Sequence, residues 1–264
     1  KLNKLKLNMK NTSKNEDSKK IGFNELLISQ FKLNTNYEIK SDSLNFKSLN
    51  SKAYNNNIAY NGQMDLKPFF FNLSVNLDEI NLEKFFYTLH FFQEFLKKDL
   101  LFNKNLSAQI NLKSKKVKNN KLFDESNFFI NFENGKINFN DSILLSKKIG
   151  LLRLNNSSLI EENDELLIKA SFVFSVDNKK NFFRTFLVKK NNKIDVKNIY
   201  FDIEYNPFRE RLYIDAIRIN DPKSPMNELT MKFLDSYNSN DEAIINNWID
   251  LKNLTNTVLG FYSG

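Results

Sequence analysis

The sequence predicts a β-dominated α+β fold in which a long, curved antiparallel sheet forms an apolar groove flanked by a few helices. The first observation is a run of apolar residues at every second position: Phe69, Phe71, Leu73, Val75 and Leu77. Because neighbouring side chains of a strand point to opposite faces of the sheet, this run predicts one apolar face and one largely polar face. The second observation is that the same period of two recurs along most of the chain. The third is that only four segments have the helical period.

Alternating segments predict the strands of this sheet. The clearest further segments lie at residues 106–112, 128–132, 137–139, 168–176 and 199–205, and weaker ones lie between residues 21 and 60. Asn61-Gly62 precedes the strongest strand and is typical of a two-residue hairpin turn, because both residue types tolerate a positive φ. Residues 1–20 predict a weak strand and a mobile polar loop, because the stretch from Asn11 to Lys20 has little apolar surface to bury. The groove domain is predicted to span residues 21–264.

Four segments with a helical pattern predict the helices. They lie near residues 82–98, 178–188, 224–238 and 241–262. The first follows a capping Asn81 and is apolar on more than one side, which predicts two packing partners. Ser224-Pro225 offers a capping serine and a first-turn proline to the third helix. The helices at 82–98 and 241–262 are predicted to flank or plug the sheet.

The positive charge of the chain has two explanations. The net charge is +8, from 39 Lys and Arg against 31 Asp and Glu, which fits either a polyanionic partner or the codon bias of an A/T-rich genome. The densest lysine stretch, Lys113 to Lys121, lies between two predicted strands and contains no aromatic residue, which favours a solvated hairpin loop. No nucleic-acid-binding motif is present, so we expect no nucleic-acid partner.

Residues able to carry out catalysis are scarce in the sequence. The chain has no cysteine and one histidine, His90, so we expect no metal site and no other cofactor. The acids between Glu161 and Glu165 cluster in a predicted turn, whereas an acid–base pair needs two carboxyls in a concave site. We therefore expect no catalytic residues and a protein that is not an enzyme.

The apolar face has two possible uses. It can close under a second layer as the core of a β-sandwich, or it can remain open and shelter the acyl chains of lipids, whose exposure to water costs about 0.8 kcal/mol per methylene. The pattern alone leaves both open, whereas the predicted C-terminal helix argues against an outer-membrane barrel. The residues predicted to share the lining are Phe69, Phe71, Leu73, Val75, Leu77, Ile110, Leu112, Phe128, Ile130, Phe132, Ile137, Phe139, Phe172, Phe174, Phe201 and Ile203.

Three segments resemble the C-terminal region of AsmA-like proteins of Gram-negative bacteria. They are NGQMDLKPFFFNLSVNLDEINLEKFF at 61–86, FENGKINFNDSILLSKKIGLLRL at 132–154 and NNWIDLKNLTNTVLGFYSG at 246–264. The first contains Lys67-Pro68-Phe69 before the alternating strand and a step at Leu77-Asp78 towards a helix. The resemblance extends over residues 58–264.

The resemblance implies a function in the bacterial envelope. AsmA-like proteins are similar to bridge-like lipid transfer proteins, so it implies a periplasmic protein, anchored in the inner membrane by an N-terminal helix, that contributes to lipid transport between the inner and outer membranes and to outer-membrane assembly. The implied partners are phospholipid and other envelope proteins. Because the chain begins with Lys1, we expect a piece of a longer protein whose anchor lies outside it. The alternative prediction is a closed β-sandwich that serves as a structural or interaction module.

Overall fold

The computed structural model describes residues 7–28, 31–53, 56–82, 102–162, 165–206, 209, 211–239 and 248–263. The fold is β-dominated, with 59% strand and 17% helix. Fourteen of the described strands belong to one mixed sheet, and two more form a separate pair. These findings confirm the predicted fold class, except that the sheet is not antiparallel throughout. The described residues divide into an N-terminal unit (7–82, 102–121 and 125–137) and a C-terminal unit (122–124 and 138–263).

The described strands of the N-terminal unit are β1 (Leu7–Glu16), β2 (Lys19–Ile28), β3 (Phe31–Lys40), β4 (Ser43–Ala53), β5 (Asn56–Leu66), β6 (Phe69–Leu77), β7 (Ile80–Asn81), β8 (Ala108–Ser114), β9 (Val117–Lys118) and β10 (Glu125–Glu133). From β1 to β6 each strand pairs antiparallel with the next. β6 pairs with β8 in parallel, and β8 pairs antiparallel with β10. The parallel pair corrects the prediction of a wholly antiparallel sheet. It is possible because the connection through residues 78–107 is long enough for a crossover.

The C-terminal unit combines strands with helices. Its strands are β12 (Ile143–Ser146), β13 (Gly150–Glu162), β14 (Glu165–Val176), β15 (Asn198–Asn206) and β16 (Arg211–Ile219), while the short β11 (Lys136–Asn138) has residues in both units. Its described helices are α1 (Lys179–Thr185), α2 (Glu228–Ser239) and α3 (Trp248–Tyr262), with a 3₁₀ turn at Lys190–Asn192. From β12 to β16 each strand pairs antiparallel with the next.

A closed hydrophobic core joins the helices of the C-terminal unit to one face of its sheet. Phe182 of α1, Leu234 of α2 and Leu259 of α3 pack in one cluster with Ile214 and Ile217 of β16, and all five are at most 2% exposed. Full burial of a side chain of this size stabilises a fold by roughly 1.5–3 kcal/mol. The helices of this unit are therefore held against β16, which none of the predicted alternating segments included, and against Phe174 of the predicted segment 168–176.

The polar segment near the N-terminus differs from its prediction. The stretch from Asn11 to Lys20 is not a mobile loop, because it forms the end of β1, a tight turn and the start of β2. The strands pair without a break from Leu7 opposite Ile28 to Glu16 opposite Lys19, and Asp17 takes the positive φ of 48° that the turn requires. Main-chain hydrogen bonds supply this pairing, and they do not depend on apolar side chains.

The predicted turn at Asn61-Gly62 is also wrong. Both residues lie inside β5, where Gly62 stands opposite Phe46 on one side and Leu73 on the other. A turn of the expected kind occurs instead at Asn134-Gly135, whose φ angles are 53° and 71°. The lysine stretch from Lys113 to Lys121 is not only a loop either, because it contains β9, which pairs in parallel with β7.

The described helices partly match their predicted bounds. α1 lies inside the predicted 178–188, and its Asn178 accepts a capping bond from the Asn181 amide. α2 begins at Glu228 rather than near Ser224, because Asn227 Oδ1 accepts from the Leu229 and Thr230 amides and caps the helix there. α3 ends where predicted, and residues 241–247 of that prediction lie outside the described residues. The prediction for 82–98, including His90, falls almost wholly on residues 83–101, which also lie outside them.

Candidate functional site

Cross-strand pairing brings most of the apolar residues of β4 to β6, β8 and β10 onto one face of the sheet. Residues that stand opposite each other in a ladder point to the same side. One such row crosses seven strands, from β2 to β10, and consists of Gly22, Tyr37, Phe46, Gly62, Leu73, Ile110 and Ile130. A parallel row contains Leu44, Met64, Phe71, Ala108 and Phe132. We call this side of the N-terminal unit the apolar face.

Ten of the residues predicted to line a lipid site lie on this apolar face. They are Phe69, Phe71, Leu73, Val75, Leu77, Ile110, Leu112, Phe128, Ile130 and Phe132. Only Phe128 is buried, and Phe69 is 38% exposed. The remaining eight are half-buried. The side chains of this face therefore keep apolar surface that a ligand can contact.

Aromatic rings and glycines alternate in the middle of the apolar face. The Phe46 ring stacks on the Phe71 ring, with centroids 6.1 Å apart and planes 16° apart. The same Phe46 ring also lies over Gly62, where an added Cβ would come within 2.4 Å of its Cζ atom. Tyr37 covers Gly22 in the same way, at 2.3 Å. The glycines thus let large rings lie across neighbouring strands, which increases the continuous apolar area.

The opposite face of the same strands is mostly polar, although Phe70 and Phe129 lie on it. Gln63, Asn72, Gln109 and Asn131 form a cross-strand row on that side, and Asn76, Lys113 and Asn127 form another. Since the two faces differ so strongly in polarity, the sheet of the N-terminal unit is amphipathic. An apolar ligand has one face available to it.

A second apolar site lies in the C-terminal unit, between its sheet and its helices. The predicted residues Phe172, Phe174, Phe201 and Ile203 share the face that packs against the helices. Beside them is an apolar cavity of about 300 Å³, within the size range of ligand pockets. The cavity is lined by those four residues and by Leu122, Phe123, Leu152, Phe182, Phe186, Ile199, Leu212, Ile214, Leu251, Leu254 and Thr255.

The last two predicted lining residues belong to neither site. Ile137 is 2% exposed in β11. Phe139 follows that strand, is half-buried, and donates its backbone N–H to Ser157 Oγ at 3.0 Å. Alternation at 137–139 predicted a short strand, and β11 is that strand. Its residue Ile137 is buried, and Phe139, just after it, is held by this hydrogen bond, so neither residue contributes to the apolar face or to the cavity.

Charged residues form a separate cleft of about 540 Å³ on the outer face of β14 to β16. Lys169 Nζ lies 3.2 Å from Glu162 and 3.3 Å from Glu204, and these hydrogen bonds raise the pKa of the Lys169 ammonium. Burial raises the pKa of the Asp215 carboxyl, and the charges of Glu204 and Asp202 add to the effect. Two acids near the β13–β14 turn are thus paired with cations, Glu162 with Lys169 and Glu165 with Arg209.

Comparisons with protein-family models, with curated proteins and with solved structures find no match to this chain. Two searches of the described residues are also negative. No described helix has the length and apolarity required to cross a bilayer. Within the same part of the chain, no group of three or more His, Cys, Asp or Glu side chains is arranged to hold a metal ion.

Sequence reasoning missed the helical half of the cavity lining. Phe182, Phe186, Leu251 and Leu254 carried a usable signal, because they lie on the apolar stripes of two predicted helices. Leu122 and Phe123 carried none, since they stand in an irregular connection before β10. Their contribution depends on tertiary packing, which periodicity does not report.

Proposed function

We propose that this chain is an AsmA-like envelope protein that binds the acyl chains of phospholipids on its apolar face and contributes to lipid transport between the inner and outer membranes. The observation that carries the proposal is the half-buried row from Tyr37 through Phe46, Leu73 and Ile110 to Ile130. Its side chains retain apolar surface, whereas the row on the other side is built from amides.

The extent of the apolar face suits an acyl chain. The apolar row crosses seven strands, β2 to β6 with β8 and β10, so the face spans about 29 Å across the strands at about 4.8 Å per spacing. One leaflet of a bilayer has a hydrocarbon thickness of about 15 Å. The face is therefore longer than one acyl chain, and a chain can occupy successive positions on it.

Movement along such a face requires no chemical step by this segment. Contacts between methylenes and apolar side chains are non-directional, so neighbouring positions have similar free energies. Transfer into water costs on the order of 12 kcal/mol for about fifteen methylenes, which keeps the acyl chain on the face. The polar headgroup remains in water, where it needs no partner on the sheet.

The alternative function is a structural or interaction module of an envelope protein with a closed core. The C-terminal unit favours it, since its helices bury one face of β14 to β16. The arrangement of the described strands favours lipid binding in the N-terminal unit, because all of them except β7 and β9 belong to one sheet. A β-sandwich would require a second sheet among them.

The test compares two double variants that add the same charge to opposite faces of the same strands. Leu73→Asp with Ile130→Asp changes the apolar face, and Asn72→Asp with Asn131→Asp is the matched control one residue away in each strand. Lipid that co-purifies with each protein is quantified by mass spectrometry, and binding of a fluorescent phospholipid is titrated. Because desolvation of a charge costs several kcal/mol, the first variant is expected to bind on the order of 100-fold more weakly. The control is expected to bind like the parent.

Folding is checked separately by circular dichroism, and the neutral pair Leu73→Asn with Ile130→Asn serves if the aspartates unfold the sheet. Equal lipid binding by the parent and a folded apolar-face variant would refute the proposal and leave the structural module as the better explanation.

A further inference from the structure

A basic and apolar surface lies on the C-terminal unit, around the turn that follows α1. Residues 179–193 contain six cations and no acid, so this short segment carries a formal charge of +6, compared with +8 for the whole chain. The six are Lys179, Lys180, Arg184, Lys189, Lys190 and Lys193. Lys179 pairs with Asp195. The other five cations are exposed, and Lys180, Lys189 and Lys190 form no ion pair with a described acid.

Two exposed apolar side chains lie next to these cations. Leu187 is 66% exposed and Ile249, in the first turn of α3, is 63% exposed. Both line a groove of about 360 Å³ together with Lys189 and Lys252. Asp250, the acid beside Ile249, acts electrostatically on Tyr237 of α2. We call Leu187, Ile249, Lys189, Lys190, Lys193 and Lys252 the basic–apolar patch.

The backbone at Leu187 is held in an unfavourable conformation for a leucine. Leu187 has a φ of 53° at the position after the end of α1, where glycine is the usual residue. The Leu187 amide donates to Arg184 O at 3.3 Å and the Val188 amide to Phe183 O at 2.8 Å, which completes the helix end. Because the Leu187 side chain is 66% exposed, it buries little apolar surface in return for this backbone conformation, so its presence requires another explanation.

The turn that carries Leu187 and Lys189 is fixed to α3 through Asn256. Asn256 Oδ1 accepts the Lys189 amide at 3.0 Å, and Asn256 Nδ2 donates to Phe186 O at 2.9 Å. Asn192 Nδ2 donates to Asn256 O at 2.8 Å. Leu187 and the lysines that follow it therefore lie on a turn that is hydrogen-bonded to α3.

We propose that the basic–apolar patch docks the C-terminal unit on an anionic phospholipid bilayer. Lysines near an anionic surface gain favourable electrostatic energy, and a few inserted apolar side chains supply the second contribution that stable interfacial binding requires. An acidic protein or a nucleic acid would use the lysines but would not require both exposed aliphatic side chains. The proposal does not depend on acyl-chain binding by the N-terminal unit.

The experiment measures co-sedimentation of the chain with vesicles of phosphatidylcholine alone and with vesicles that also contain phosphatidylglycerol. We expect binding only to the anionic vesicles and a marked loss at high ionic strength. The variant Lys189→Gln with Lys190→Gln and Lys193→Gln is expected to bind about 100-fold more weakly. The matched control is Lys113→Gln with Lys115→Gln and Lys116→Gln, which removes three exposed lysines from the other unit and is expected to bind like the parent.

Leu187→Gly separates docking from folding. Glycine suits the φ of 53°, so the variant is expected to melt at the same or a higher temperature while its binding to anionic vesicles falls about tenfold. Leu73→Asp, on the apolar face of the N-terminal unit, is expected to leave vesicle binding unchanged. The proposal is overturned if the parent binds both vesicles equally, or if Leu187→Gly and Ile249→Gln bind like the parent while the lysine variant does not.

Discussion

Gly22 and Gly62 are required on the apolar face for different reasons. The three atoms nearest to a Cβ at Gly22 would all belong to the Tyr37 side chain, with Cζ and Oη at 2.3 Å. A Cβ at Gly62 would meet the Phe46 ring at 2.4 Å and also the Asn72 carbonyl oxygen at 2.5 Å. The contact at Gly22 can be relieved by truncating the Tyr37 side chain. The contact of Gly62 with the Asn72 carbonyl involves the backbone of the neighbouring strand, so truncating Phe46 cannot relieve it.

This difference predicts a rescue at one glycine and not at the other. Gly22→Ala is expected to destabilise the β2–β3 pair by about 1–3 kcal/mol, the usual cost of overpacking, and Tyr37→Ser in the same chain is expected to recover most of it. Hydrogen exchange of the β2 and β3 amides measures the effect. Gly62→Ala with Phe46→Ala is the comparison and is expected to remain destabilised. A full rescue at both glycines would show that the backbone contact at Gly62 is unimportant.

The role of Gly62 was not accessible from the sequence. Asn61-Gly62 has the composition of a hairpin turn, and Asn134-Gly135 has the same composition and does form a turn with positive φ angles. The two dipeptides differ in what stands opposite them. Phe46, sixteen positions earlier in the chain, occupies the space that a side chain at residue 62 would fill.

Among the elements, α2 begins later than its sequence signals predicted. Ser224-Pro225 and Asn227 both suit a helix start, and Asn227 is used because its Oδ1 accepts two amides of α2 while its Nδ2 donates to Phe261 O at 3.1 Å. The contact with the C-terminal end of α3 thus favours Asn227 over Ser224 as the capping residue of α2. A sequence rich in asparagine offers many caps, and tertiary contacts select among them.

The end of α2 protects an edge of the sheet. β16 pairs with β15 and is the last strand of its sheet. The side-chain amide of Asn238 donates to Ile214 O at 3.0 Å and accepts the Ile214 amide at 3.1 Å, as a neighbouring strand would. Exposed edges promote association with other strands, and this amide covers part of one.

Asn256 fixes α3 to the turn after α1, and its removal is expected to weaken the C-terminal unit. Asn256→Ala loses the side-chain bonds to the Lys189 amide and to Phe186 O, so we expect a loss of about 1–3 kcal/mol in the free energy of unfolding. Denaturation is followed by the fluorescence of Trp248, the single tryptophan, whose ring lies 5.2 Å from that of Phe186.

Asn253→Ala is the matched control for Asn256→Ala, because Asn253 is an exposed asparagine of the same helix. It is expected to unfold like the parent. Equal midpoints for the two variants would mean that packing alone, without the Asn256 bonds, holds the turn on α3.

At the scale of the whole molecule, strands of both units have the same alternating pattern, but their apolar faces are buried to different extents. Alternation predicted the apolar residues of β6 and β14 equally well. It could not predict that Phe174 would be 5% exposed while Leu73 remains half-buried, because that difference depends on the layers packed above each strand. In the C-terminal unit, the cover consists of helices whose stripes were visible in the sequence, but whose docking position was not.

This difference in covering predicts where an acyl ligand changes stability. A ligand that binds only the folded state at 100 times its dissociation constant stabilises that state by about 2.7 kcal/mol. Added phosphatidylcholine, which the basic–apolar patch is not expected to bind, is therefore expected to slow amide exchange in β4, β5 and β6 by up to about 100-fold. Little change is expected around Leu234 of α2 and around Ile214 and Ile217 of β16, which are already buried. Hydrogen exchange with and without lipid, analysed by mass spectrometry, gives the change in exchange rate for the strands of the N-terminal unit and for the C-terminal unit in one experiment. The Leu73→Asp with Ile130→Asp variant should show no such slowing, and equal slowing in both units of the parent would contradict binding at the apolar face.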